Sequence, residues 1–353
     1  MFEEAAARIA FKTADVAGLR LFYREAGDPS KPTIVLLHGF PSSSYQFHDL
    51  IPRLADRFHV IAPDYPGMGF SDAPAPTVLR PTFDDVTMAI DAFIAQRAPG
   101  PVILYMHDIG GPIGMRIATA HPERIAGLIF QNTVISLEGW NPARLKVYKR
   151  LGGPETPENL AETEQFATVD RDKFLHQRGA RQPDALNPDN WAIDAYAFSI
   201  EANRVFMSRL FMNLAANFQH YPEWNAYLKD RQPKTLIVWG RNDPLFVPTA
   251  PEFVKQAVPT AEVRYFRRRP LRARRVRRRD RRGDHRDVLP TEPTRGSRRR
   301  MSTCAVMRRT APATCCPHKT FRTAASRCKH GQTTWTACAR LARLARWDRT
   351  ILE

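Results

Sequence analysis

The chain has 353 residues and a formal net charge of +17, but the charge is not spread along it. Residues 1–266 hold 27 Lys and Arg against 30 Asp and Glu, a net −3; residues 267–353 hold 26 against 6, a net +20. No run approaches the roughly 18 apolar residues of a membrane span. The five cysteines all lie after residue 303, and the opening Met1-Phe2-Glu3-Glu4 is acidic rather than apolar, so a disulfide scaffold and a secretory leader are not expected and a cytoplasmic location is.

In chain order, residues 7–12 and 19–25 read as two opening strands, closed by Gly27-Asp28-Pro29. Thr33-Ile34-Val35-Leu36-Leu37 is a continuous apolar run that ends in His38-Gly39-Phe40-Pro41, as a strand buried on both faces would. Phe58-His59-Val60-Ile61-Ala62 is the next strand, followed by the glycine-rich Asp64-Tyr65-Pro66-Gly67-Met68-Gly69-Phe70-Ser71. Residues 83–95 show helical periodicity. Val102-Ile103-Leu104-Tyr105 then runs into Met106-His107-Asp108-Ile109-Gly110-Gly111, with Ile113, Met115, Ile117 and Ala118 at roughly helical spacing beyond. A sharp strand-to-helix turn needs minimal side chains around its exposed residue; Gly110 and Gly111 supply them and leave Asp108 at the tip. An exposed carboxylate there can displace at saturated carbon and leave an alkyl ester. The plain alternative is an aspartate capping the next helix.

Gly127-Leu128-Ile129-Phe130, Thr235-Leu236-Ile237-Val238-Trp239 and Val263-Arg264-Tyr265-Phe266 are further strands. Strands alternating with helices imply an α/β fold with a mostly parallel, doubly covered sheet and ligands at the strands' carboxyl ends. Residues 133–231 break the alternation: they are rich in Asn, Pro and aromatics, with helical segments around 159–167 and 191–214. Both flanks return to strands of one sheet, so an inserted helical cap is expected. The expected division is core over 1–132, cap over 133–231, a truncated second part of the core over 232–266 and an Arg-rich tail over 267–353.

Together, residues 7–266 resemble the epoxide hydrolase and haloalkane dehalogenase branch of the α/β-hydrolase fold, in which an aspartate is the nucleophile. Four matches in order carry the resemblance: His38-Gly39-Phe40-Pro41, the Asp64 to Ser71 loop, His107-Asp108-Ile109-Gly110-Gly111, and Gly240-Arg241-Asn242-Asp243-Pro244. The resemblance implies that Asp108 attacks an epoxide or alkyl halide, that Asp243 orients a histidine activating water, and that the Phe40 and Ile109 amides hold the oxyanion. His38 and His107 flank the site, but the family uses them to shape turns. Tyr148, Tyr196, Tyr221 and Tyr227 are candidate proton donors to an epoxide oxygen; Trp140 and Trp191 keep a halide site open. His38, Tyr148, Trp191 and Tyr196 are the expected substrate contacts. Ile109 departs from the Trp or Arg that members often place after the nucleophile, so ester hydrolysis also stays open. The expected partners are a small apolar electrophile and water. No cofactor or metal is called for.

The family's catalytic histidine should follow Phe266, typically within Asp-Ala-Gly-His-Phe-Ala-Leu. Residues 267–273 instead read Arg-Arg-Arg-Pro-Leu-Arg-Ala. The expected peptide in GC-rich codons, GAC GCC GGC CAC TTC GCG CTC, read one base early behind a C, translates to the observed seven residues. A shifted frame is the simplest source of the tail, which places the histidine codon across Pro270 and Leu271 and leaves the translated chain without its base. A tail this rich in arginine is expected to be disordered. The alternative is a non-enzymatic, basic-tail nucleic-acid-binding protein, since arginine runs neutralise phosphates without a fold. Cys304, Cys315, Cys316, His318, Cys328 and His330 show no metal-binding CxxC spacing.

Overall fold

The aliphatic runs pair into one eight-stranded sheet in the computed structural model, which describes residues 8–177, 183–241, 243 and 245–266. The strands are β1 (Ala10–Val16), β2 (Leu19–Ala26), β3 (Thr33–Leu37), β4 (His59–Pro63), β5 (Val102–His107), β6 (Ile125–Gln131), β7 (Thr235–Gly240) and β8 (Glu262–Phe266). Their order is β1-β2-β4-β3-β5-β6-β7-β8. β2 runs antiparallel to β1 and β4, and every other pairing is parallel. The first strand is displaced from the expected residues 7–12. Ala17 and Gly18, both at positive φ, make a tight turn that extends the β1–β2 pairing to Val16 opposite Leu19.

Period-two alternation sorts the central strands' side chains between two cores. Val35, Leu37, Leu104 and Met106 face one side of the sheet, and Ile34, Leu36, Ile103 and Tyr105 the other. A short helix α1 (Ile51–Leu54) covers the second side, while α2 (Phe83–Arg97) and α3 (Gly110–Ala120) cover the first. The Thr82 hydroxyl accepts from the Asp85 amide at 3.1 Å and caps α2, whose first turn is acidic and whose last carries Arg97.

Between β6 and β7 lie α4 (Pro142–Leu151), α5 (Pro157–Glu164), α6 (Val169–Gln177), α7 (Asp189–Ser199), α8 (Glu201–Met212) and α9 (Tyr221–Arg231); α10 (Ala250–Ala257) precedes β8. The expected helix over 191–214 is two helices, because Ile200 takes an extended conformation (φ −92°, ψ 115°) between α7 and α8. The helices α4, α6 and α9 were not foreseen, and α9 packs on α3 and α10 beside the sheet. Among the described residues no helix is long and apolar enough to cross a membrane. The tail over 267–353, expected to be disordered, lies outside the described residues.

Candidate active site

The chain leaves β3 toward β4 on one side and returns to β5 on the other, so the carboxyl ends of β3 and β5 form the sheet's topological switch point. Asp108 sits there at φ +51°, a left-handed backbone that costs a non-glycine residue on the order of 1–3 kcal/mol. Close packing holds this elbow. A side chain on Gly110 would collide with the Leu37 carbonyl, and one on Gly111 with the Thr133 hydroxyl, which donates to the Asp108 carbonyl at 2.7 Å. A Cβ on Gly39 would fall 2.7 Å from His107 Nδ1 and 2.9 Å from the Asp108 Cβ, so the turn after β3 needs glycine to approach the elbow.

That approach brings the Phe40 amide to Asp108, to which it donates at 2.9 Å on Oδ1; the Ile109 amide donates to the same carboxylate. Desolvation pushes the Asp108 carboxyl up to about 6; the two amides oppose the rise and the Asp243 charge adds to it. Asp243 lies in the loop after β7. Its Oδ1 accepts from the amides of Leu245 at 2.7 Å and Phe246 at 3.1 Å, and its Oδ2 accepts from the Asn132 side chain. Asn132 also accepts from the Gly240 amide at 3.0 Å, which ties the end of β6 to the start of that loop. Burial pushes the Asp243 carboxyl up, against these three donors.

Asp108 opens into a cavity with about 580 Å³ of empty space, part of it continuous with solvent. Its described lining includes the aromatic side chains of Phe40, Trp140, Tyr148, Phe166, Phe211 and Phe246; Arg171 is the cation among the described lining residues, and no histidine is among them. Burial, with the charge of Asp108 adding, pushes the Tyr148 phenol up to about 12, so it stays protonated at neutral pH. Trp140 meets Tyr148 edge to face at 5.2 Å and gives its indole N–H to the Tyr221 hydroxyl at 2.9 Å.

The structure brings Phe40, Asp108, Ile109 and Tyr148 to one cavity, with Asp243 close enough to act on Asp108 electrostatically. It does not bring His38, Trp191 or Tyr196 there. His38 is fully buried in its turn, bonded to the Gly39 carbonyl at 2.9 Å and accepting from the Tyr65 amide at 3.2 Å. Tyr196 is 52 % exposed against Phe70, and Trp191 lies by His176 and Lys173. His107 is held by the Gln46 side chain at 2.6 Å, and burial pushes its imidazole down to about 3. Asn132, Thr133 and Arg171 were not foreseen as part of the site. Asn132 follows a buried strand directly, which is the one local signal it gave.

A profile of the alpha/beta hydrolase fold matches residues 32–268, ending where the composition changes. An uncharacterized hydrolase of Saccharomyces cerevisiae is 31 % identical over 255 residues, 70 % of this chain and 86 % of that protein. A haloalkane dehalogenase of Bradyrhizobium diazoefficiens is 32 % identical over 132 residues, 37 % of this chain and 42 % of that protein. Among solved structures, the epoxide hydrolase CorEH superposes with a TM-score of 0.59 at 19 % identity, over 73 % of this chain and 90 % of that one. With its sheet order, its elbow after β5 and these similarities, the chain belongs to the α/β-hydrolase fold family and is by family a hydrolase.

Proposed function

We propose that residues 1–266 are an epoxide-opening hydrolase core in which Asp108 is the nucleophile. The observation that carries this reading is the Asp108 carboxylate held by the Phe40 and Ile109 amides at the floor of a cavity that Tyr148 also lines. A carboxylate oxygen attacks an epoxide carbon, the carbon–oxygen bond of the ring breaks, and the alkoxide takes the Tyr148 proton. The product is a hydroxyalkyl ester of Asp108. The two amides then face the ester carbonyl, where they stabilise the oxyanion formed when water adds; one such donor is typically worth about 2.7–4 kcal/mol. Asp243, positioned by Asn132, Leu245 and Phe246, is the acid partner of a histidine expected within the seven residues after Phe266, where this reading frame has none. We further propose that residues 267–353 are a frame-shifted translation, so that this chain forms the ester and stalls, and that residues 133–231 act as the cap.

The test is mass spectrometry of the full chain after incubation with styrene oxide. One substrate mass on a peptide containing Asp108, absent in Asp108→Ala, is expected. Steady turnover by the chain as written would overturn the missing-base reading. Dehalogenation is the second reading, motivated by the haloalkane dehalogenase relative, but the Trp140 N–H is committed to Tyr221 and Trp191 stands away from the cavity. Chloride release from 1-chlorobutane, lost in a Trp140→Phe variant, would favour it.

A further inference from the structure

Outside this site, the chain buries a second group of ionisable side chains that the hydrolytic chemistry does not use. Asp172 and His176 stand one turn apart on α6 and so share a face, and α7, which packs on α6, carries Asp194. The three residues each offer a ligand atom, and these atoms all lie within 4.8 Å of one another. His176 Nε2 is 3.5 Å from Asp172 Oδ1. Asp172 and Asp194 are 2 % and 1 % exposed, and Oδ2 of each is buried with no hydrogen-bond partner among the described residues. Ser42 and Ser43 donate to Asp194, the latter over a long 3.4 Å to Oδ1.

Two carboxyls at this spacing cannot both be ionised in a dry interior without a cation between them. Among the described residues, the nearby side-chain cations have contacts of their own. Arg24 pairs with Asp64 at 3.8 Å and donates to Ser44, Lys173 lies over the Trp191 ring at 5.7 Å, and Arg171 lies against Phe166 and Phe174. We propose that Asp172, His176 and Asp194 bind one divalent transition-metal ion that ties the cap helices α6 and α7 to the loop after β3. Two carboxylate oxygens and one imidazole nitrogen suit zinc, cobalt, iron or manganese, and are too few oxygens for calcium. Metal bonds of about 2.0–2.2 Å put neighbouring donors about 3.4 Å apart, so side-chain rotation alone can close the present spacing. The position gives the ion a use. Arg171 and Leu175, on the same helix as Asp172, line the Asp108 cavity, and Ser43, bonded to Asp194, stands three residues after Phe40. Occupancy would therefore fix the cavity's lid against the loop that carries the Phe40 amide.

The test is titration of the chelator-treated full chain with cobalt(II) chloride. It is independent of turnover and of the role of Asp108. One ion per chain is expected, with ligand-field bands, no thiolate charge-transfer band from the cysteines after residue 303, and quenching of Trp191, whose ring is 6.3 Å from that of His176. Asp194→Asn and His176→Gln should each weaken this binding at least about tenfold, Asp108→Asn should leave it unchanged, and Trp191→Phe should remove the quench while keeping the stoichiometry. If the wild-type chain binds no more cobalt than Asp194→Asn does, or binds it only through thiolate, the two carboxyls share a proton instead and the proposal fails. Should Asp194→Asn not fold, absence of any Trp191-dependent quench in the folded Trp191→Phe and wild-type pair overturns it equally.

Discussion

Asp108 and Asp172 are both carboxyls withdrawn from bulk water, the first lining the cavity and the second on the helix whose Arg171 and Leu175 line it, yet they are surrounded in opposite ways. Backbone N–H groups of Phe40 and Ile109 point at Asp108, and Asp243 beside it has three donors of its own. Asp172 and Asp194 face each other with two oxygens that meet no donor among the described residues. Fixed donors let a desolvated carboxylate keep its charge and remain available to react. A pair without them must hold a cation or a proton, and so serves structure rather than displacement chemistry. The elbow and the cap cluster thus separate on one physical criterion, the supply of N–H groups, rather than on acidity or burial.

The most drastic way to break the contrast is to supply the elbow with the base proposed to be missing. Removing one nucleotide after the Phe266 codon should restore Asp-Ala-Gly-His after β8, converting a single covalent turnover into continuous hydrolysis, and should raise the soluble yield. The comparison is made by expressing both genes side by side and assaying epoxides, haloalkanes and esters. If the corrected gene is neither more soluble nor active on any of them, the frame-shift reading is wrong.

The next effect in size concerns the proton donor. Tyr148→Phe in the frame-restored enzyme should slow alkylation by about 10²–10⁴-fold, because the phenolic proton stabilises an alkoxide that forms only in the transition state. Tyr196→Phe, at an exposed position outside the cavity, should leave the single-turnover rate within about twofold of the parent. Equal rates in both variants would remove Tyr148 from the mechanism.

How far these positions could be read from sequence differs between the two acid groups for a definable reason. Asp108 was legible because everything that exposes it is local: a buried strand before it, Gly110 and Gly111 after it, and a helix beyond. That the sheet is mostly parallel was legible from the same alternation of apolar runs and helices; the strand order was not. Asn132 was not, since its partner Asp243 lies 111 residues away and only the pairing of β6 with β7 brings them together. Tyr148 could not be told from Tyr196, because which phenol is buried depends on how the cap helices pack. The cluster of Asp172, His176 and Asp194 was not read from sequence at all, because Asp194 joins the other two only through the contact between α6 and α7.

Titration sharpens the contrast further. Asp108 must be ionised to attack, so the alkylation rate should be level at neutral pH and fall about tenfold per unit below its value of about 6. Tyr148, held up near 12, should add no break in that range. Asp243→Asn removes a negative neighbour that raises Asp108, and should therefore move the midpoint to lower pH. A midpoint that stayed in place, measured by quenched-flow adduct formation, would show that the two carboxyls do not sense each other.

The smallest expected effect is on stability, and its sign follows from the same shift. The Asp108 carboxyl is raised in the folded chain to about 6 from an ordinary 3.8. A raised acid binds its proton more tightly when folded, so its favourable contribution is complete below the unfolded value and is lost as pH rises through the folded one. At neutral pH the ionised carboxylate is therefore a cost to the fold. Asp108→Asn removes the charge and should stabilise the protein by roughly 1–3 kcal/mol near pH 7, the lower end applying because solvent entering the cavity screens part of the charge and the Asn amide meets the Phe40 N–H less well. Below about pH 3, where the wild-type carboxyl is mostly protonated in both states, that gain should vanish. Urea unfolding of the two proteins at both pH values reads the difference directly. A stabilisation of equal size at both would mean that relief of the strained elbow, rather than removal of the charge, was responsible.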